Sequence, residues 1–110
     1  MNRRILVVEE AEAELVAAVR WYDAHRPGLG AELQASVDEA LARLVERVVA
    51  ASPVSGMPAA IGAMKVFVAR FPYAVIFVER GDDIWVLAFA HHHRRPGYWR
   101  GRDPSAPAGG

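Results

Sequence analysis

The spacing of hydrophobic residues along the chain changes twice, from strand-like to helical and back. Residues 5–8 are four consecutive apolar residues, which is typical of a short strand. Acidic residues follow, and apolar residues then recur three and four positions apart, at Leu15, Ala18, Val19 and Tyr22. This is the spacing of one face of an amphipathic helix, and carboxylates in a first turn favour the positive end of the helix dipole. The pattern therefore predicts a strand followed by a helix.

A second helix is predicted directly after the first. The sequence Arg-Pro-Gly at 26–28 should end the first helix, because proline cannot continue the hydrogen-bond ladder and glycine accepts a left-handed turn. The second helix is expected from about residue 29 or 30 to residue 49, with an apolar stripe at Leu33, Val37, Leu41, Leu44 and Val48. Because the break is short, the two helices should fold back as a hairpin.

The second half of the chain predicts strands. Residues 52–62 contain two prolines and two glycines and are expected to form a loop. Three strand-like segments follow, at 66–68, 73–79 and 84–90. Their short connections make them antiparallel neighbours, because parallel strands need long crossovers.

These elements predict an α+β fold in which an α-helical hairpin packs on a small antiparallel β-sheet, with the N-terminal strand at one edge. One domain is expected over residues 1–102, and the proline- and glycine-rich tail 103–110 is expected to be disordered.

The last two strands are apolar on both alternating faces. A half-exposed antiparallel sheet normally alternates apolar and polar residues, but 73–78 and 84–90 do not. The helical hairpin can cover only one face. We therefore expect a partner chain on the other face, unless these are central strands that keep some apolar surface.

Composition excludes several classes of protein. Among the 110 residues there is no cysteine, which excludes disulfides, a thiol nucleophile and cysteine-ligated zinc. The apolar run near the start has four residues, and a secretory signal needs about 7–15. The longest apolar run, 84–90, is far shorter than the ~20 residues of a membrane helix. The sequence thus predicts a cytoplasmic protein without a membrane partner.

Charge is distributed unevenly although the formal net charge is zero. Residues 1–60 contain six arginines and nine acids, a balance of −3, and residues 61–110 contain seven basic residues and four acids, a balance of +3. Four arginines and no acid lie between His91 and Arg102. Such a cluster attracts phosphate or an acidic partner, or it is simply a solvated end that keeps the protein soluble.

Several segments, in this order, resemble those of the RelE/ParE toxin superfamily of type II toxin–antitoxin systems. They are Ala-Val-Arg-Trp-Tyr at 18–22, Pro-Gly-Leu-Gly at 27–30, Arg-Phe-Pro-Tyr-Ala-Val at 70–75, Val-Leu-Ala-Phe-Ala-His at 86–91 and Arg-Arg-Pro-Gly-Tyr-Trp at 94–99. No single segment is specific to the superfamily. Together, however, the segments occur in the order found in the superfamily and span nearly the whole chain.

The resemblance implies a toxin that inhibits growth, serves functions such as plasmid stabilisation, and is neutralised by a cognate antitoxin in a hetero-oligomer. The RelE-like branch cleaves messenger RNA on the translating ribosome, and the ParE-like branch poisons DNA gyrase. No cofactor and no metal is expected for either branch.

Candidate site residues follow from the chemistry of each branch. RNA cleavage by a ribose 2′-hydroxyl needs a base, an acid and cations that stabilise the phosphorane. If the chain is RelE-like, the catalytic candidates are His91, Arg94, Arg95 and Tyr98, with His91 as the first choice for proton transfer. The candidates for target binding are Lys65, Arg70, Tyr73, Arg94, Arg95 and Tyr98.

One departure favours the ParE-like branch. Ala74 stands where the ribosome-dependent branch often has an arginine, and a methyl group cannot hold a phosphate. The ParE-like branch, for which no catalytic centre is expected, is therefore preferred. A RelE-like endoribonuclease and a non-toxic RNA-binding or degenerate family member are the alternatives.

Simpler interpretations exist for several of these residues. Residues 91–93 are three histidines, but consecutive residues of a strand point to opposite faces and no acid lies near, so we expect polar histidines at a strand end and no metal site. Tyr22 is expected in the core, and Trp99 is expected to pack the tail onto the domain. Arg70 could be only a solvated strand end.

Overall fold

A computed structural model describes residues 3–46, 51–54 and 62–102 of the chain. Its elements in order are β1 (Arg4–Val7), α1 (Glu9–His25), α2 (Leu29–Glu46), β2 (Ser52–Pro53), β3 (Met64–Phe67), β4 (Tyr73–Arg80), β5 (Asp83–His91) and a short 3₁₀ helix (Arg100–Arg102). The predicted end of the second helix at residue 49 and the predicted tail at 103–110 lie outside the described residues.

The five strands form one sheet in the order β1-β5-β4-β3-β2. The meander β3-β4-β5 is antiparallel, as predicted, and β1 lies at one edge, as predicted. The expectation of an antiparallel sheet is wrong for β1, which pairs with β5 in parallel. Two helices connect β1 to the rest of the sheet, and so long a connection allows a parallel crossover. The fold is α+β with a mixed sheet.

A second correction concerns the predicted loop at 52–62. Ser52 and Pro53 form the short edge strand β2, in register with Lys65 and Met64 of β3. Proline is tolerated there because an edge strand has one side without ladder bonds. Residues 55–61 of that predicted loop lie outside the described residues.

The core lies between the helical hairpin and the sheet. The predicted stripe of α2 is buried at Leu33, Val37 and Leu44. Phe77 and Ile84, on the two central strands, are among the most deeply buried side chains. Tyr22 is half-buried and packs against this core, which confirms the expectation that it belongs to the core.

The tight contact between the helices depends on Gly30. Asp23, near the end of α1, accepts a hydrogen bond from the Gly30 backbone N–H at 2.8 Å. A Cβ atom at Gly30 would lie 2.5 Å from the carbonyl oxygen of Val19. The two helices therefore approach so closely that only hydrogen fits at this position.

The sheet face away from the helices is partly covered by the chain itself. Tyr73 contacts Tyr22 of α1, so the alternating residues of β4 face the opposite way. We call that side the outer face; it carries Ala74 and Ile76 of β4 and, directly across from them, Lys65 and Phe67 of β3. Trp99 lines a cavity together with Ala74 and Ile76, and all three are buried.

Trp99 thus packs the C-terminal segment onto the domain, as expected. The need for a partner on the outer face is smaller than predicted, because Trp99 covers part of it. Among the described residues, Phe67 on this face is the most exposed large apolar side chain, with an exposed fraction of 59%.

Within the three described segments, no helix is long and apolar enough to span a bilayer.

Candidate functional site

The meander brings the start of β4 and the end of β5 together. Tyr73 is paired with His91 across the two strands, and their rings meet edge to face at 5.2 Å between centroids. A turn follows directly, in which the Arg94 backbone N–H donates to the His91 carbonyl at 3.0 Å. This turn directs the arginine-rich segment back over the end of the sheet.

The three histidines make two separate sets of ring contacts. The rings of His91 and His93 stack at 5.2 Å, and His92 meets the exposed Phe67 ring edge to face at 5.5 Å. The His93 backbone N–H donates to Nδ1 of His91 at 3.1 Å, so neutral His91 carries its proton on Nε2. Burial, with smaller contributions from His93 and His92, lowers the pKa of His91. Across residues 3–46, 51–54 and 62–102, no three metal-ligating side chains are grouped to hold an ion.

Tyr98 lies between two arginines. The guanidinium of Arg94 is 4.0 Å from the Tyr98 ring centroid, and that of Arg102 is 5.0 Å from it, both within cation–π range. The phenol donates a hydrogen bond of 2.6 Å to Oε2 of Glu14. Burial, followed by this bond to Glu14, raises the pKa of Tyr98 well above its usual range. Tyr98 is therefore a poor proton donor at neutral pH.

Glu14 is a site residue that the sequence analysis missed. Its Oε1 accepts hydrogen bonds from Arg102 Nη1 at 2.8 Å and from the Phe89 backbone N–H at 3.3 Å. Both carboxylate oxygens are thus in use, within a side chain that is only 17% exposed. A signal was present: Glu14 lies three and four residues from the buried Ala11 and Ala18. An acid on a buried stripe needs partners elsewhere in the fold.

Two cavities open on either side of the residues at the end of β5. The first, of about 370 Å³, lies between α1 and the sheet. Its lining consists of Glu14, Ala17, Ala18, Trp21, Tyr22, Tyr73, Phe89, His91, Arg94 and Tyr98. The second, of about 270 Å³, lies on the outer face. His91, Arg94 and Tyr98 line both and form the wall between them.

The second cavity gathers most of the predicted site. Lys65, His91, Arg94, Arg95 and Tyr98 all line it, and we call these five residues the basic surface. Phe67 and His92 line the same cavity. Arg94 and Arg95 are exposed, so their charges are available to a partner.

Arg70 is not part of this cluster. It lies in the turn between β3 and β4 with a left-handed backbone (φ 70°) and forms a salt bridge of 2.7 Å with Glu32 of α2. Neither cavity is lined by Arg70. The turn directs its side chain toward the helical hairpin, so Arg70 and the basic surface are separate features. Tyr73, the other target-binding candidate, lines only the first cavity.

The raised pKa of Tyr98 has a measurable consequence. Because the folded protein holds this proton more tightly than the unfolded chain, the contribution of the hydroxyl to stability is complete below its unfolded pKa of about 10. It is lost as the pH rises above that value. Tyr98→Phe should therefore reduce the loss of stability in alkaline solution, measured by denaturant unfolding between neutral pH and pH ~11. Identical alkaline profiles for the two proteins would contradict this assignment.

Comparison with known proteins supports the fold. No protein-family model and no curated protein matches the sequence. Among solved structures, a chain described as "Chromosomal ParDE TA system from P. aeruginosa" superposes with a TM-score of 0.67 at 21% sequence identity. The match covers 81% of this chain and 95% of that chain. The chain therefore has the fold found in a ParDE toxin–antitoxin system, and the predicted RelE/ParE-like architecture is confirmed.

Proposed function

From the fold shared with a chain of a ParDE toxin–antitoxin system, we propose that this protein is the toxin of a type II toxin–antitoxin pair. It inhibits growth by binding DNA gyrase in the ParE-like manner, through the basic surface and without a chemical step of its own. The fold similarity is the observation that carries the toxin assignment. The choice of the gyrase-binding mode rests on the geometry of the site.

Three features of the site favour binding over catalysis. The Nδ1 atom of His91 already accepts a hydrogen bond, so its lone pair is not free to take a proton from a ribose hydroxyl. Tyr98 is tied to Glu14, and its pKa is raised, which makes it a weak acid for a leaving oxygen. Ala74 adds only a methyl group to the cavity in which a catalytic arginine would hold phosphate.

A RelE-like endoribonuclease is the second candidate, because one observation favours it. Lys65, Arg94 and Arg95 line a single cavity, and together they could hold the phosphates of a messenger RNA. Exposed Phe67 lies in the same cavity and offers a surface on which a base could stack. This candidate requires new messenger RNA ends in cells that produce the protein, and the gyrase-binding mode does not.

The partner in the proposed pair is an antitoxin encoded beside this gene. It forms a hetero-oligomer with the toxin in the cytoplasm and neutralises it, in a system that can serve to stabilise a plasmid. The exposed Phe67 on the outer face is an apolar contact available to such a partner.

Controlled production in a bacterial host tests the toxin assignment. Induction of this chain alone should stop growth, and induction together with the neighbouring gene product should restore growth and yield a complex that co-purifies. The control is an empty vector with the same induction. Unimpaired growth at a verified level of soluble protein would instead identify an inactive or merely binding member of the fold.

A further inference from the structure

Where β1 ends, side chains take over the hydrogen bonds to the backbone at the edge of β5. The parallel pairing of β1 with β5 stops at Val7 and Val86, and a bulge at Leu87 follows. At the bulge, the Leu87 carbonyl accepts a hydrogen bond from Arg102 Nη1 at 3.1 Å, and two residues further on the Phe89 N–H donates to Glu14 at 3.3 Å. The Glu14–Arg102 ion pair thus occupies the place that a further stretch of strand would take.

The same carboxylate fixes the position of Arg94. Glu14 holds the Tyr98 hydroxyl at 2.6 Å, and the Tyr98 ring is the surface on which the Arg94 guanidinium lies. The side chains of Glu14 and Arg102 are 17% and 16% exposed, so their pairing is shielded from solvent far more than a surface ion pair. A chain of contacts therefore runs from α1 through Glu14 and Tyr98 to Arg94.

We propose that Glu14 is a positioning residue for target binding: it holds the C-terminal segment against β5 so that Arg94 is presented in one orientation on the basic surface. This inference rests on the proposed function, in which the basic surface contacts the target. Glu14 itself is mostly buried, so it affects target binding indirectly, by holding Tyr98 and Arg94 in place. An arginine held in advance loses less conformational freedom on binding than a mobile one, so its contact with the target is stronger.

Glu14→Ala is the main test, with Glu12→Ala as the matched control. Glu12 lies on the same helix and is exposed, so its replacement changes the net charge equally and leaves this network intact. The concentration of purified protein that halves supercoiling by DNA gyrase should rise about tenfold or more for Glu14→Ala, because the variant loses binding free energy about equal to that of one hydrogen-bonded contact. The same concentration should be unchanged for Glu12→Ala.

A double-mutant cycle tests whether Glu14 acts through the Tyr98 hydroxyl. Tyr98→Phe keeps the ring under Arg94 but removes the hydroxyl that Glu14 holds. If Glu14 acts through Tyr98, adding Tyr98→Phe to Glu14→Ala should weaken inhibition little further. Glu14→Gln keeps one acceptor oxygen and should restore part of the inhibition. Additive losses in the cycle would overturn the proposed route through Tyr98.

Limited trypsin digestion tests the same inference without any assay of toxicity. The Arg94–Arg95 and Arg100–Gly101 bonds should be cut faster in Glu14→Ala than in the wild type or in Glu12→Ala, because the released segment can enter the protease. Mass spectrometry identifies the bonds. If the wild-type protein does not inhibit gyrase but trypsin cuts these bonds faster in Glu14→Ala, the proposed function fails and the positioning role of Glu14 stands. If Glu14→Ala keeps both its resistance to trypsin and its inhibition of gyrase, the positioning role is refuted.

Discussion

Replacing Arg94 and Arg95 together by alanine should abolish growth inhibition while the protein remains folded. Both side chains are exposed on the basic surface, and both line the cavity that gathers the predicted target-binding residues. Loss of the cation–π contact between Arg94 and Tyr98 should cost about 0.5–1 kcal/mol. An exposed substitution such as Arg95→Ala usually costs within about 0.5 kcal/mol. The free energy of unfolding should therefore fall only slightly, and growth should be unaffected by induction.

A matched control removes two arginines elsewhere. Arg4 and Arg43 are exposed and form surface ion pairs with Asp83 and Glu39. The double variant Arg4→Ala/Arg43→Ala loses the same charge, and solvent-exposed ion pairs of this kind contribute little to stability. It should remain toxic. Growth arrest by Arg94→Ala/Arg95→Ala at equal soluble protein would show that the basic surface is not the target-binding surface.

Gly30→Ala should destabilise the protein by about 2–4 kcal/mol, the sum of an overpacked contact and a lost hydrogen bond. Helix propensity alone predicts no such loss, because alanine has the higher helix propensity and Gly30 lies in the first turn of α2. Here the new Cβ would lie 2.5 Å from the Val19 carbonyl oxygen and 2.7 Å from Cγ of Asp23. The helices must separate, and the bond from the Gly30 N–H to Asp23 is strained or lost.

Denaturant unfolding measures this effect, with Gly101→Ala as the control. Apart from its chain neighbours, no atom of the described residues lies within 4 Å of a Cβ atom at Gly101, so that variant should stay within about 0.5 kcal/mol of the wild type. Both substitutions can be made in the Arg94→Ala/Arg95→Ala background, in which the protein is expected to be harmless to its host. A Gly30→Ala variant as stable as its parent would contradict the close approach of the two helices.

The fold could be predicted from the sequence where the pattern is local. The two helical stripes and the break at 26–28 define the hairpin, because each depends on spacing within a few residues. The parallel pairing of β1 with β5 could not be derived in this way, since the register between Val7 and Val86 is set by the packing of the helices between them. The short strand at Ser52 and Pro53 was missed because its proline favours a loop.

The grouping of the candidate site residues could be predicted in part for the same reason. Arg94, Arg95 and Tyr98 lie on one short basic segment, and His91 and Tyr73 were placed by the predicted strand ends. Arg70 is a candidate as a further cation that could hold phosphate, but its turn directs it to Glu32. Glu14 was missed because its partners, Tyr98 and Arg102, are more than eighty residues away in sequence.

Supercoiling of relaxed plasmid DNA by purified DNA gyrase, measured at increasing concentrations of this protein, is the most direct test of the proposed function. The proposal predicts dose-dependent inhibition by the wild type, none by Arg94→Ala/Arg95→Ala, and relief when the neighbouring antitoxin is added. Undiminished supercoiling at concentrations that stop growth in cells, together with new messenger RNA ends in phase with codons, would contradict it and identify the RelE-like alternative.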